Sequence, residues 1–237
     1  MIEAQNEIIE PQTAKIENVF WGIPEVIYAI IAMLVISVAM VLIAYFWTVG
    51  ANAVMVLYEL LYLLPVVVVM LVKQAPWHSL GIRRFEFVEL LIGIGLLLAA
   101  YVLIFIHNLT LIFFDIAPQG EYIAELFGED INLWVLGVVI VIIAPIAEEV
   151  FFRSFVYTGL EEKLGWKKAA LVSALIFGAA HMQLVSLLPT FLMGLVFAYL
   201  YKRSRSVVPG MILHFMVNGF GFTMILLLTL YGDSLAL

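Results

Sequence analysis

Apolar residues run in stretches of about 20 along most of this chain, separated by short polar breaks, the length a helix needs to cross a bilayer core of ~30 Å. The pattern predicts about seven spans. The first runs from Gly22 to Trp47, with Trp21 and Trp47 as interface anchors. The second runs from Ala51 to Val72 and is broken by Pro65, and the third runs from Val88 to Phe114. After an acidic loop, Asp115 to Asp130, the fourth runs from Asn132 toward Tyr157. The fifth runs from Ala169 to Val185. Pro189 is predicted to open the sixth, to Tyr201, and Pro209 the seventh, to Tyr231, because proline suits a first helical turn.

Composition supports this reading. Of 237 residues, 65% are hydrophobic and 12% charged, against about 25% charged in soluble domains. Mean hydropathy is +1.14. These values exclude a soluble domain, a disordered chain and a nucleic-acid partner. Runs rather than period-two alternation exclude a β-barrel. The fold class expected is an all-α polytopic membrane protein. The net charge of −7 reflects an acidic tail and the acidic loop, and the absence of cysteine excludes thiol chemistry and disulfides. The N-terminus carries Glu3, Glu7 and Glu10 rather than a basic region, so no signal cleavage is expected.

Lysine and arginine set the orientation. The loop after span two holds Lys73, Arg83 and Arg84, that after span four Lys163, Lys167 and Lys168, and that after span six Lys202, Arg203 and Arg205. The alternate loops hold none. The N-terminus is therefore expected in the cytoplasm and the C-terminus outside, in a multi-pass protein whose partner is the lipid bilayer.

Against this background, ionisable groups inside spans stand out, since each costs roughly 2.5–3.5 kcal/mol at mid-bilayer. Span four carries Glu148, Glu149 and Arg153, span five Phe177 and His181, and span seven His214 and Asn218. Glu149 and Arg153 are four apart and can pair on one face, while Glu148 is turned away by about 100°. His214 and Asn218 also share a face. Counting about 1.5 Å per residue puts Glu148, His181 and His214 at similar depths, as one cytoplasm-facing cavity requires. Pro145 cannot donate to the Val141 carbonyl, so a bend is expected just before the glutamates. Glu59 is expected to line a cavity or be bonded, and His107 and Asn108 to be interfacial.

Glu148-Glu149-x-x-x-Arg153, Phe177-x-x-x-His181 and His214-x-x-x-Asn218 together resemble the three motifs of the CPBP family, which takes in Rce1-type CAAX-prenyl proteases and bacteriocin-processing enzymes and is also called ABI. Leu80 to Arg84 resembles a basic segment before the core of prokaryotic members. The chain is thus expected to divide into an acidic cytoplasmic tail at 1–20, two N-terminal helices and a loop at 21–79, and a core at 80–237, which the resemblance, covering roughly Leu80 to Phe222, makes an intramembrane protease. The resemblance implies a prokaryotic cell-membrane glutamic endopeptidase. Glu148 would be the base, His181 would share the attacking water, and His214 and Asn218 would stabilise the oxyanion. Glu149, Arg153 and Phe177 would support them, without metal or cofactor. Substrates would be prenylated CAAX-type or other hydrophobic peptides.

The chemistry of the residues is compatible with this. A positioned carboxylate base is worth about 10²–10⁴ in rate, and one oxyanion donor about 3 kcal/mol. Two alternatives stay open. One is a non-catalytic immunity or partner-binding protein on the same scaffold. The other is a zinc-dependent membrane hydrolase using two histidines and a glutamate, disfavoured by the lack of HExxH. The substrate, oligomeric state and role of Glu59 are not fixed by sequence.

Overall fold

The computed structural model describes residues 19–47, 49–117 and 131–235. Most of the predicted tail and of the acidic loop lies outside the described residues. The chain is an integral multi-pass membrane protein, and among the described residues six helical runs are long and apolar enough to cross a bilayer. Among the described residues there is no strand.

Helix α1 spans Ile23–Phe46, with Pro24 in its first turn and the Glu25 carboxylate accepting from the Gly22 N–H at 2.8 Å. One span is divided into α2, Ala51–Tyr62, and α3, Leu64–Lys73, at the break Pro65 predicts. A 3₁₀ turn, Trp77–Leu80, leads to α4, Val88–Phe113. The next run, 133–180, begins with α5, Leu133–Val138, whose N-cap Asn132 accepts from the Trp134 and Val135 N–H groups at 3.0 and 3.3 Å. It continues through a π-helical stretch, Val139–Ile143, helix α6, Ala144–Glu149, a second π-helical stretch, Val150–Tyr157, and α7, Thr158–Ala180. As one straight rod it would be about 72 Å long, more than twice the bilayer core. Gly165, at φ 72° and ψ 159°, breaks it, so the predicted fourth and fifth spans are its two limbs. Helices α8, Leu184–Ser204, and α9, Val208–Leu235, complete the bundle.

Three expectations are corrected. The fifth span ends at Ala180 rather than Val185, so His181 is the last cap residue of α7. Pro189 lies inside α8 instead of opening it. Trp21 is no interface anchor: it is 3% exposed, stacks on Phe155 at 5.1 Å and donates its indole N–H to the Phe155 carbonyl at 2.9 Å. Trp47 is exposed, as an anchor should be.

Lipid is as apolar as leucine, so close packing rather than the hydrophobic effect holds membrane helices together. Here α7 and α8 meet closely where Gly194 faces Ala174, and a Cβ added at Gly194 would lie 3.0 Å from the Ala174 backbone. Phe151, Phe152, Phe155 and Phe177 fill the core behind them. One end of the bundle is tied by ion pairs: Glu25 to Lys73 at 2.6 Å, Glu89 to Arg203 at 2.9 Å, and Glu161 to Arg205 at 2.5 Å. The basic strap is fastened there too. The Leu80 carbonyl accepts from Ser154 Oγ at 2.5 Å, the Gly81 carbonyl from the Val207 N–H at 3.0 Å, and the Arg83 carbonyl from Ser206 Oγ at 2.7 Å.

Candidate active site

The first element of the site is the short helix α6 between its two π-helical flanks. A π turn widens the helix locally and is frequent where a side chain must be re-aimed. The first one, Val139–Ile143, stands immediately before Pro145, where a bend is expected from the sequence. On α6 the two glutamates then diverge. Glu149 is 1% exposed and sits 3.0 Å from Arg153 Nη1, whereas the Glu148 side chain is 17% exposed and faces a cavity.

Arg153 is held by more than its partner. Its guanidinium lies 4.3 Å from the Phe177 ring centroid, 5.3 Å from Phe197 and 5.8 Å from Phe152. Its contact with Glu149 is an ion pair without the alignment of a hydrogen bond, and the aromatic faces supply the remaining stabilisation. Phe177 therefore carries a cation–π contact as well as its edge contact with His181, at 4.9 Å.

His214, on α9, joins the two glutamates. Its Nδ1 lies 3.3 Å from Glu149 Oε1 and its Nε2 lies 3.5 Å from Glu148 Oε2. The ring stacks on Phe197 at 5.0 Å, which fixes its plane. Both nitrogens face carboxylate oxygens.

His181 Nδ1 is 2.9 Å from the Phe177 carbonyl, which only accepts. In the neutral ring the proton is therefore on Nδ1, and Nε2 is left as an acceptor. Asn218 Nδ2 donates to the Ile140 carbonyl, in the first π stretch, at 2.9 Å. That commits one of its two amide protons and leaves the other.

Glu148, Phe177, His181, His214 and Asn218 line one cavity of about 390 Å³. Glu59 of α2 lines it as well. Glu149 and Arg153 lie behind the wall. Among the described residues no three His, Asp or Glu side chains form a metal-binding cluster. Sequence reasoning missed Tyr101, Thr190 and Met193 in the cavity wall, and Phe197 beneath His214. It also missed Gly210, where a Cβ would come within 2.8 Å of Glu149 Oε2. Its one legible signal was spacing: Gly210 is four residues before His214, on the same helix face. His107 and Asn108, expected at the interface, are both partly buried, and His107 is bonded to the Val185 carbonyl.

Residues 130–220, which hold all three motifs and most of the cavity wall, match the family model described as type II CAAX prenyl endopeptidase Rce1-like. The chain belongs to the Rce1-like CPBP family. It is 39% identical over 79 residues to a protein of Bacillus subtilis named "Putative membrane peptidase YdiL", covering 33% of this chain and 32% of that one. It is 32% identical over 88 residues to the UPF0177 protein YxdF of Lactococcus lactis, covering 37% of this chain and 48% of that one. An uncharacterised 24.3 kDa protein of Escherichia coli is 30% identical over 164 residues, covering 65% of this chain and 72% of its own length. The chain thus spans a third to a half of the first two relatives. No solved structure matches it.

Proposed function

We propose that this protein is an intramembrane endopeptidase that hydrolyses a peptide bond with a water activated by Glu148 and His181. The observation that carries the reading is the convergence of Glu148 and His181, from the two limbs of the run 133–180, with His214 and Asn218 of α9 on one cavity in an apolar bundle. In this mechanism Glu148 takes a proton from water while the bare Nε2 of His181 orients it. The hydroxide adds to the scissile carbonyl. Protonation neutralises Glu148 and weakens its hold on His214 Nε2–H, already long at 3.5 Å. That N–H and the free amide proton of Asn218 then hold the oxyanion. Glu148 returns its proton to the leaving amine. Glu149 and Arg153 fix the orientation of His214 and do not touch substrate.

Substrate is read from the walls. A second cavity, of about 730 Å³ and mostly apolar lining, shares Glu59 and Ile140 with the first. It suits a hydrophobic or prenylated peptide of CAAX type. The cavity lies toward the end of the bundle away from the basic strap, where Ile140, Pro189 and Ile225 line it, so the cytoplasm-facing opening expected from the sequence does not fit its position. The mechanism uses no metal. The test is cleavage of a hydrophobic-peptide panel by purified protein. His181→Ala and His214→Ala are expected to lower kcat by about 10²-fold or more each. Activity is expected to persist in a strong chelator, and its loss there, restored by zinc, would support the zinc hydrolase instead.

A further inference from the structure

Helix α8 contains a defect that a residue outside every motif repairs. Pro189 is its sixth residue. In an α-helix the N–H of residue 189 would bond the carbonyl of Val185, but proline has no N–H, so that carbonyl lacks its helical donor. The structure supplies another. His107, on α4, places Nε2 at 3.0 Å from the Val185 oxygen. A carbonyl only accepts, so Nε2 carries the proton, and it does so in the neutral and the protonated ring alike.

The location gives this bond its consequence. Val185 is four residues beyond His181, across a tight turn in which Met182 is left-handed, at φ 56°, and Gln183 is extended. The other bonds of the turn are local: His181 N–H to the Gly178 carbonyl at 3.3 Å, Met182 N–H to Ala179 at 3.0 Å, and Ser186 N–H to Gln183 at 3.1 Å. His107 links the turn to a different helix. Both ends of the turned segment, His181 and Pro189, line the cavity. We infer that His107 is a positioning residue: by donating to the carbonyl that Pro189 orphans, it fixes the turn that presents His181 to the cavity. The catalytic consequence rests on the proposed endopeptidase function, whereas the structural one does not.

That difference can be measured. The chain has no cysteine, so Ser186→Cys, at a fully buried position next to Val185, gives a single thiol that only opening of the turned segment exposes. In purified full-length protein, His107→Leu is expected to raise maleimide labelling of that thiol by about 3-fold or more, since an untethered turn opens more often. It is expected to lower kcat for peptide cleavage about 10-fold with KM within about 2-fold, the mark of a misplaced catalytic group. Adding Pro189→Ala to His107→Leu restores an N–H to the Val185 carbonyl and should return both readings toward the parent. His107→Gln keeps a donor and should stay near the parent throughout. A role in packing alone would not be reversed by Pro189→Ala. If His107→Leu leaves labelling unchanged, or Pro189→Ala does not reverse its effect, the inference is wrong. If His107→Leu cannot be purified, the double variant and His107→Gln carry the comparison, and departure of either from the parent overturns the inference. If labelling behaves as expected but even the wild type cleaves no peptide, the tether stands and the proposed function fails. If Glu148→Gln abolishes cleavage while His107→Leu changes nothing, the function stands and the tether fails.

Discussion

Glu148 and Glu149 are adjacent in the chain, yet one carboxylate faces the cavity and the other is sealed against Arg153. The sealed pair is where side-chain changes should be felt most. Arg153→Met would leave Glu149 as an uncompensated buried charge, at a cost of about 3–5 kcal/mol. Thermal unfolding in detergent should show the loss. Glu149→Gln added to Arg153→Met should recover most of the stability, because a neutral pair needs no counter-charge. Arg153→Lys should recover little, since an ammonium cannot lie flat against Phe177 and Phe197 as a guanidinium does. Gly210 constrains the same pair from the opposite helix. Gly210→Ala puts a methyl group against Glu149 Oε2 and should cost about 1–3 kcal/mol by overpacking, again read by thermal unfolding.

Among the elements, the run 133–180 combines two tasks, aiming Glu148 through its π-helical flanks and turning back at Gly165. Gly165 sits at φ 72° and ψ 159°, a region open in practice only to glycine. Gly165→Ala should therefore destabilise the protein by about 1–3 kcal/mol although a Cβ there meets no neighbour, and unfolding in detergent would measure it. The spans themselves were legible because their signal is local: run length, Pro65 and Pro209 each fell where the helices divide or begin. Pro189 carries the same local signal as Pro209 and misled, because its missing N–H is compensated by His107, far away in sequence. Trp21 misled for a related reason, since its partner Phe155 is brought to it only by the fold. The motif residues were legible through their spacing. The π turns and the ring of Phe197 under His214 carry no periodic signature.

At the scale of the whole molecule, ion pairs, the basic strap and the start of α9 gather at one end of the bundle, the end proposed to face the cytoplasm from its lysine and arginine content. In the cysteine-free chain, Arg84→Cys should react with a membrane-impermeant maleimide only after the cytoplasmic face is exposed. Phe114→Cys, beyond the far end of α4, should react from outside intact cells. The reverse pattern would invert the proposed topology. The central claim is that Glu148 performs hydrolysis in the shared cavity. It is tested most directly by giving purified wild type and Glu148→Gln a farnesylated CaaX peptide beside its unprenylated control. Cleavage by wild type is expected, faster for the farnesylated peptide, with a loss of about 10²-fold or more in Glu148→Gln. Cleavage by Glu148→Gln at the wild-type rate would contradict it.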